Sequence, residues 1–209
     1  MASSLIEIFE DTQLTQKVQK RLPYFFQLAE IECSRAGKIG MEVGSVREKI
    51  IIALLIYKFG QENVETNIPI TESEVDVRLS GQPISIKSIT GKSNGVKLCW
   101  TVDAQSAKEF SYSYEPRCDL LLVRIVWGAM GGFYFIPLDV QRRLLGQIGR
   151  EKYIKLPVPG TNPRGVEMTS NALALLLEDR NTRALEISWQ RTPIDFNPYK
   201  RWVDYWGED

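Results

Sequence analysis

Asp76 and Lys87 stand eleven residues apart, and Ser85 precedes the lysine by two. The stretch Glu74–Leu79 alternates, with Val75, Val77 and Leu79 on one face and Glu74, Asp76 and Arg78 on the other. Ile84–Ile89 alternates again and sets Ile84, Ile86 and Ser88 against Ser85, Lys87 and Ile89. Gly81-Gln82-Pro83 reads as the turn between them. Such a hairpin brings Asp76, Ser85 and Lys87 onto one face. Two explanations fit an aspartate beside a lysine there. One is a cross-strand ion pair, worth about 0.2–1 kcal/mol when exposed. The other is a metal-dependent phosphodiesterase site. In it one carboxylate holds Mg²⁺ and a second completes the site. The lysine orients the attacking water and stabilises charge on the pentacovalent phosphorus.

That chemistry needs no histidine, and none of the 209 residues is histidine. The absence excludes Ser-His and Cys-His catalysis and His-ligated zinc. Lys plus Arg and Asp plus Glu both number 26, so the net charge is zero and nucleic-acid binding must rest on local patches. A chain 44% apolar and 25% charged is globular in composition. Cys33, Cys99 and Cys118 form no C-x-x-C pair, so free thiols in a reducing cytoplasm are expected. No signal peptide is read at the N-terminus, and the longest apolar run, Ile50–Tyr57, is too short to span a membrane.

The elements that must position the site are expected as follows. Residues 1–37 are helical, with Pro23 at a helix start. A loop punctuated by Gly37, Gly40 and Gly44 leads to Ser45, a plausible N-cap in capping-box spacing with Glu48. Val46–Phe59 is then a buried central helix stopped by Gly60. Beyond the hairpin come a helix around Ala104–Phe110, a strand at Leu120–Trp127 buried on both faces, and a turn at Gly128–Gly132. A strand at Phe133–Ile136 and helices from Leu138 and at Ser170–Glu178 complete the order. The fold class is α/β (α+β), a mixed sheet flanked by helices. We expect one domain over residues 1–209, with an N-terminal helical part (1–37), a core (40–140) and a C-terminal part (157–209).

The segment E74-V-D-V-R-L-S-G-Q-P-I-S-I-K87 resembles the core hairpin of the PD-(D/E)xK nucleases, chiefly type II restriction endonucleases. Asp76 matches the family's first carboxylate and Lys87 its lysine. Ser85 stands where the second carboxylate is usual, and Val75 where proline is. The resemblance covers residues 40–140 and implies that another acid compensates. Glu48, in G44-S-V-R-E48 ahead of the apolar helix, resembles the helix glutamate that joins the metal site in several members. Its alternative is the capping box. Glu74, two residues from Asp76, could exchange roles with it. The resemblance also implies a backbone carbonyl ligand at Ile86, and Mg²⁺ as cofactor with Mn²⁺ as a substitute. The run G-M-E-V-G-S-V-R-E is similar to the ThaI-like group, which cuts a short CG-rich palindrome.

Charge placement fits a DNA partner. No acid occurs from Val77 to Val102, where Arg78, Lys87, Lys92 and Lys97 fall. From Val140 to Val166 six basic residues face one acid, Glu151. The alternative in each case is a solvated surface. The acid-free loop with Arg35 and Lys38 ends in Met41, which in the ThaI-like group is the place of a methionine wedged between base steps from the minor groove. Met41 could instead pack under the helix. The Ser93-Asn94-Gly95 tip, flanked by Lys92 and Lys97, could read bases or hold phosphates. The aromatic tail (Trp189, Trp202, Tyr205, Trp206) reads as core or dimer interface rather than a base-stacking platform. Cutting a palindrome implies a C2 homodimer on double-stranded DNA. The competing functions are a repair or structure-specific nuclease of the same fold and a non-catalytic DNA-binding or interaction module.

Overall fold

The computed structural model describes residues 4–35, 38–40, 42–69, 71–72, 74–91, 95–100, 103–158 and 165–208. Helices α1 (Ile6–Glu10) and α2 (Thr12–Glu32) lead into a small hairpin, β1 (Ser34–Arg35) and β2 (Lys38–Ile39), and then α3 (Val43–Phe59). Next come β3 (Val64–Glu65), β4 (Val77–Leu79), β5 (Gln82–Thr90), β6 (Val96–Trp100), α4 (Ala104–Ser113), β7 (Asp119–Ile125) and β8 (Met130–Ile136). The chain closes with α5 (Leu138–Ile148), α6 (Arg150–Tyr153), β9 (Ile154–Lys155), β10 (Gly165–Met168), α7 (Ser170–Glu178), β11 (Arg183–Ser188) and α8 (Lys200–Trp206).

A six-stranded sheet runs β11-β8-β7-β5-β4-β3. It is mixed: β5 and β7 pair in parallel, the other neighbours antiparallel. The parallel pair requires a crossover, and α4 lies within it. Strand alternation divides the core. Ile84, Ile86, Leu121 and Val123 point to the side of α2 and α3, where Phe26, Ile51 and Leu55 meet them. Leu120, Leu122 and Ile89 point to the other side, against Val140, Leu144 and Leu173. The long apolar run at β7 is therefore buried on both faces, as its composition implies. The expected mixed sheet between helices is the one found.

Several boundaries differ for identifiable reasons. Pro23 lies inside α2, not at a start. Asp11 caps the helix by accepting from the Leu14 amide at 3.0 Å. An internal proline costs about 3 kcal/mol or more. The buried stripe Leu14, Val18, Leu22 and Phe26 holds the helix together on both sides of it. Ser45 is no cap: α3 starts at Val43 after Glu42, without a side-chain cap, so Glu48 is not a capping-box residue. Nor is α3 buried all round. Arg47, Ile51 and Leu55 are buried, while Ala53 and Tyr57 are exposed.

The β4–β5 turn is Ser80-Gly81, with φ of 49° and 83°. Two left-handed residues match the twist of the strands, so Leu79 already pairs with Gln82, and Pro83 belongs to β5 opposite Arg78. The strand expected from Glu74 begins only at Val77. Gly131 and Gly132 belong to β8, and the turn before them lies at Val126–Ala129. A Cβ on Gly131 would come within 2.1 Å of the Arg124 carbonyl and 2.6 Å of Trp189 Nε1. Gly131→Ala is thus expected to cost about 1–3 kcal/mol, read as a lower urea midpoint.

The sequence reading missed β6, β10 and β9, which form a separate three-stranded sheet, and the edge strand β11. Strands of two to six residues offer too few alternations to be seen.

Candidate active site

The β4–β5 ladder ends at Asp76, whose amide donates to the Ile84 carbonyl at 2.9 Å. From there the chain peels away, and the side chain of Asp76 replaces the missing strand. Its Oδ2 accepts from the Ile86 amide at 2.6 Å, from Ser85 Oγ at 3.2 Å and from Lys87 Nζ at 3.0 Å. Three donors on one oxygen fix the carboxylate plane. Among the described residues no hydrogen bond is donated to Oδ1, so its lone pairs remain open to a further partner. The expected trio is assembled, and Ser85 acts as a donor to the aspartate.

Glu48 projects from the second turn of α3, which packs against β5. The α3 N-terminal half is seated by Arg47, whose Nη1 donates to Thr90 Oγ1 at 3.0 Å and whose Nη2 meets Glu30 at 2.5 Å. Glu48 titrates above the ordinary carboxyl range. Burial is the main cause and the Asp76 charge the next, with Lys87 and Lys49 acting the other way. It is therefore near enough to Asp76 and Lys87 to share their field, and it makes no hydrogen bond among the described residues. Burial raises Glu74 too, opposed by Arg117 and Lys87.

Glu74 receives none of the three hydrogen bonds that converge on Asp76. It lines a cavity of about 30 Å³ with Ser85, Lys87 and Arg117, and a larger one of about 380 Å³ with Arg78, Tyr114 and Arg117. Lys87 thus sits between two acid environments, Asp76 with Glu48 and Glu74 with Arg117. Sequence reasoning missed Arg117. Nothing local marks it, because its neighbour Cys118 reaches Glu74 only through the crossover, with Sγ 3.5 Å from the Glu74 carbonyl. That thiol is pushed up to about 12, chiefly by burial, and Cys99 to about 11 for the same reason, so neither is a nucleophile near neutrality.

The groups that could hold a cation here are two carboxylates, Asp76 and Glu48, with the backbone at Ile86 beside them. Among the described residues no group of three or more Cys, Asp or Glu side chains gathers to hold a metal. Two carboxylates and water suit a hard cation such as Mg²⁺, which keeps several waters. Like charges sharing a half-buried site, one of them with a raised pKa, are what a cation would relieve.

A family model, Restriction endonuclease ThaI, matches residues 8–208. The chain belongs to the ThaI restriction endonuclease family. A solved structure described as a restriction endonuclease in complex with substrate DNA is 57% identical, superposes with a TM-score of 0.92, and covers 98% of this chain and 99% of its own. No curated protein sequence matches significantly.

Within this ThaI-family fold the expected DNA-facing residues fare unequally. Arg35 and Lys38 lie opposite each other in the β1–β2 hairpin, and Lys38 is exposed. Met41, Lys92 and Asn94 lie outside the described residues. Lys97 Nζ is 3.5 Å from Glu167, which Lys155 also approaches at 3.7 Å. Arg143 pairs with Asp179 at 2.7 Å, and Arg150 with Glu115 at 3.4 Å. Acids distant in sequence thus fold back onto the basic segments, so counting charge along the chain overstates how basic that surface is. No helix among the described residues is long and apolar enough to cross a membrane.

Proposed function

We propose that this ThaI-family chain is a single-domain, Mg²⁺-dependent type II endonuclease. It hydrolyses phosphodiester bonds of double-stranded DNA at a short CG-rich palindrome, with two copies each presenting one site. The observation that carries this is the convergence of Ser85, Ile86 and Lys87 on one oxygen of Asp76, with Glu48 in the same field. The substrate DNA in the structure of the 57% identical relative supports the choice of polymer.

Asp76 through Oδ1, Glu48 and the Ile86 carbonyl are the groups that would hold the cation. The chemistry such a cation would supply there is neutralisation of phosphoryl charge and a more acidic attacking water. Lys87 is held by Asp76 at its inner side and remains partly exposed, so its remaining donors are free to position the attacking water and to meet a phosphoryl oxygen. Ser85 donates to Asp76 and so keeps the aspartate an oriented acceptor. It supplies no charge, which leaves Glu48 as the second carboxylate.

The sign of the Glu48 shift gives a test independent of cleavage. A carboxyl raised in the folded state favours folding while protonated, and that contribution is lost as pH rises through its titration. At pH 8 without metal, Glu48→Gln is therefore expected to raise the melting temperature by a few degrees, about 2–4 °C per kcal/mol for a chain this long. Mg²⁺ or Ca²⁺ should raise the melting temperature of the unsubstituted protein and not that of the variant. An equal metal response in both would remove Glu48 from the site.

A further inference from the structure

Two apolar surfaces among the described residues lie open and fit one another. One is a groove of about 570 Å³ between α2 and α3, with Phe25, Ile50, Leu54 and Tyr57 along its walls and Lys17 and Arg21 at its rim. On α3 the wall positions Ile50, Leu54 and Tyr57 follow helical spacing, so the open face is built into the sequence. The other surface is α8. Every described residue from Lys200 to Glu208 is exposed, Trp206 at 91%. From the N-cap onward, Tyr199, Trp202, Val203 and Trp206 fall at i, i+3, i+4 and i+7, an exposed stripe touched, among the described residues, only by α8's own Arg201 and Tyr205, both against Trp202.

We propose that α8 of a second copy of this chain lies in the α2–α3 groove, and that the exchange is reciprocal. Helix-in-groove docking needs an apolar stripe at this spacing and a two-helix trough of matching length. Seven residues of α8 make about 10 Å, and Ile50 to Tyr57 makes the same. Charge agrees with the pairing. Arg21 has no acidic partner among the described residues, and Lys17 is held only against Tyr57, its ammonium 4.5 Å from the ring centre. Glu208 sits at the end of α8 that carries Trp206, while Asp204 beside it pairs with Lys200 at 2.7 Å.

Within one chain, Arg201 pairs with Glu32 at 2.9 Å and keeps α8 beyond the C-terminal end of α2, with the groove open and the stripe exposed. A two-fold pairing covers both surfaces twice, because an isologous contact repeats itself. The groove lies on the C-terminal half of α3, and Glu48 near its N-terminal end, so the contact leaves the candidate active site free.

This names the contact behind the homodimer of the proposed function, and its test reads mass rather than cleavage. Sedimentation equilibrium of the full chain should give a dimer. Tyr57→Glu and Trp206→Glu, both at exposed positions, should each weaken it by roughly 30-fold, as buried aromatic anchors do. A mixture of Ala53→Cys and Trp206→Cys proteins, oxidised together, should yield a disulfide-linked dimer that combines the two variants. A dimer weakened less than two-fold by both substitutions overturns this interface while leaving the nuclease reading standing. So does a monomer at all concentrations, or a disulfide formed within one chain when both cysteines are placed on it.

Discussion

Lys87→Ala is expected to reduce phosphodiester cleavage by about 10³-fold or more, with DNA binding changed less than about three-fold. The size follows from what one lysine supplies: a charged donor to the developing phosphoryl charge, worth about 10²–10³-fold, and control of the attacking water, worth about as much again. Ground-state binding survives because many backbone phosphate contacts, not one, dominate affinity. Asp76→Ala should lose as much activity but is the less clean experiment. Asp76 Oδ2 satisfies the Ile86 amide at 2.6 Å, and stranding that donor costs about 1–3 kcal/mol of stability. Asp76→Asn keeps an acceptor there and removes the charge, so its loss of activity reports chemistry rather than folding. Single-turnover cleavage, with binding measured in Ca²⁺, separates the two.

The second large effect is on stability. Glu30 is 2% exposed and accepts from three groups: Arg47 at 2.5 Å, Trp127 Nε1 at 2.9 Å and Arg191 at 2.6 Å. Arg47 is buried as well, and burial pulls its pKa down while Glu30 acts to hold it up. Removing one partner of such a pair leaves a buried charge unmatched, which costs about 3–5 kcal/mol. Glu30→Ala should therefore lower the melting temperature by roughly 6–20 °C. Because Arg47 immediately precedes Glu48 and reaches Thr90 on β5, the same variant should also lose activity through a displaced α3. Replacing both Glu30 and Arg47 with methionine should recover part of the stability and little of the activity. A loss below about 1 kcal/mol for Glu30→Ala would contradict a buried, mutually dependent network.

The hairpin was legible because alternation over Glu74–Leu79 and Ile84–Ile89 placed Asp76, Ser85 and Lys87 on one face whatever the turn type. That is why a turn expected at Gly81–Pro83 and found at Ser80-Gly81 leaves the trio on its face. Glu48 stands out by its place before an apolar run, and the structure puts it in the field of Asp76 and Lys87; its capping role failed because α3 begins two residues before Ser45. What stayed hidden depends on contacts that no spacing encodes. Arg117 comes to line the same cavity as Glu74 only across the sheet's crossover. Glu167, Asp179 and Glu115 neutralise basic segments far from them in the chain. The continuous α2 was missed because local proline chemistry argued for a break, and burial of Leu22 and Phe26 around Pro23 outweighed it.

The most direct measurement is to digest a long DNA of known sequence with Mg²⁺ and sequence the ends, comparing the unsubstituted protein with Lys87→Ala. The Asp76–Glu48–Lys87 site predicts ends at one short palindrome, cut at symmetric positions on both strands, and none above background from the variant, which still binds the DNA. Equal cutting by Lys87→Ala, or ends scattered without a common sequence, would contradict it.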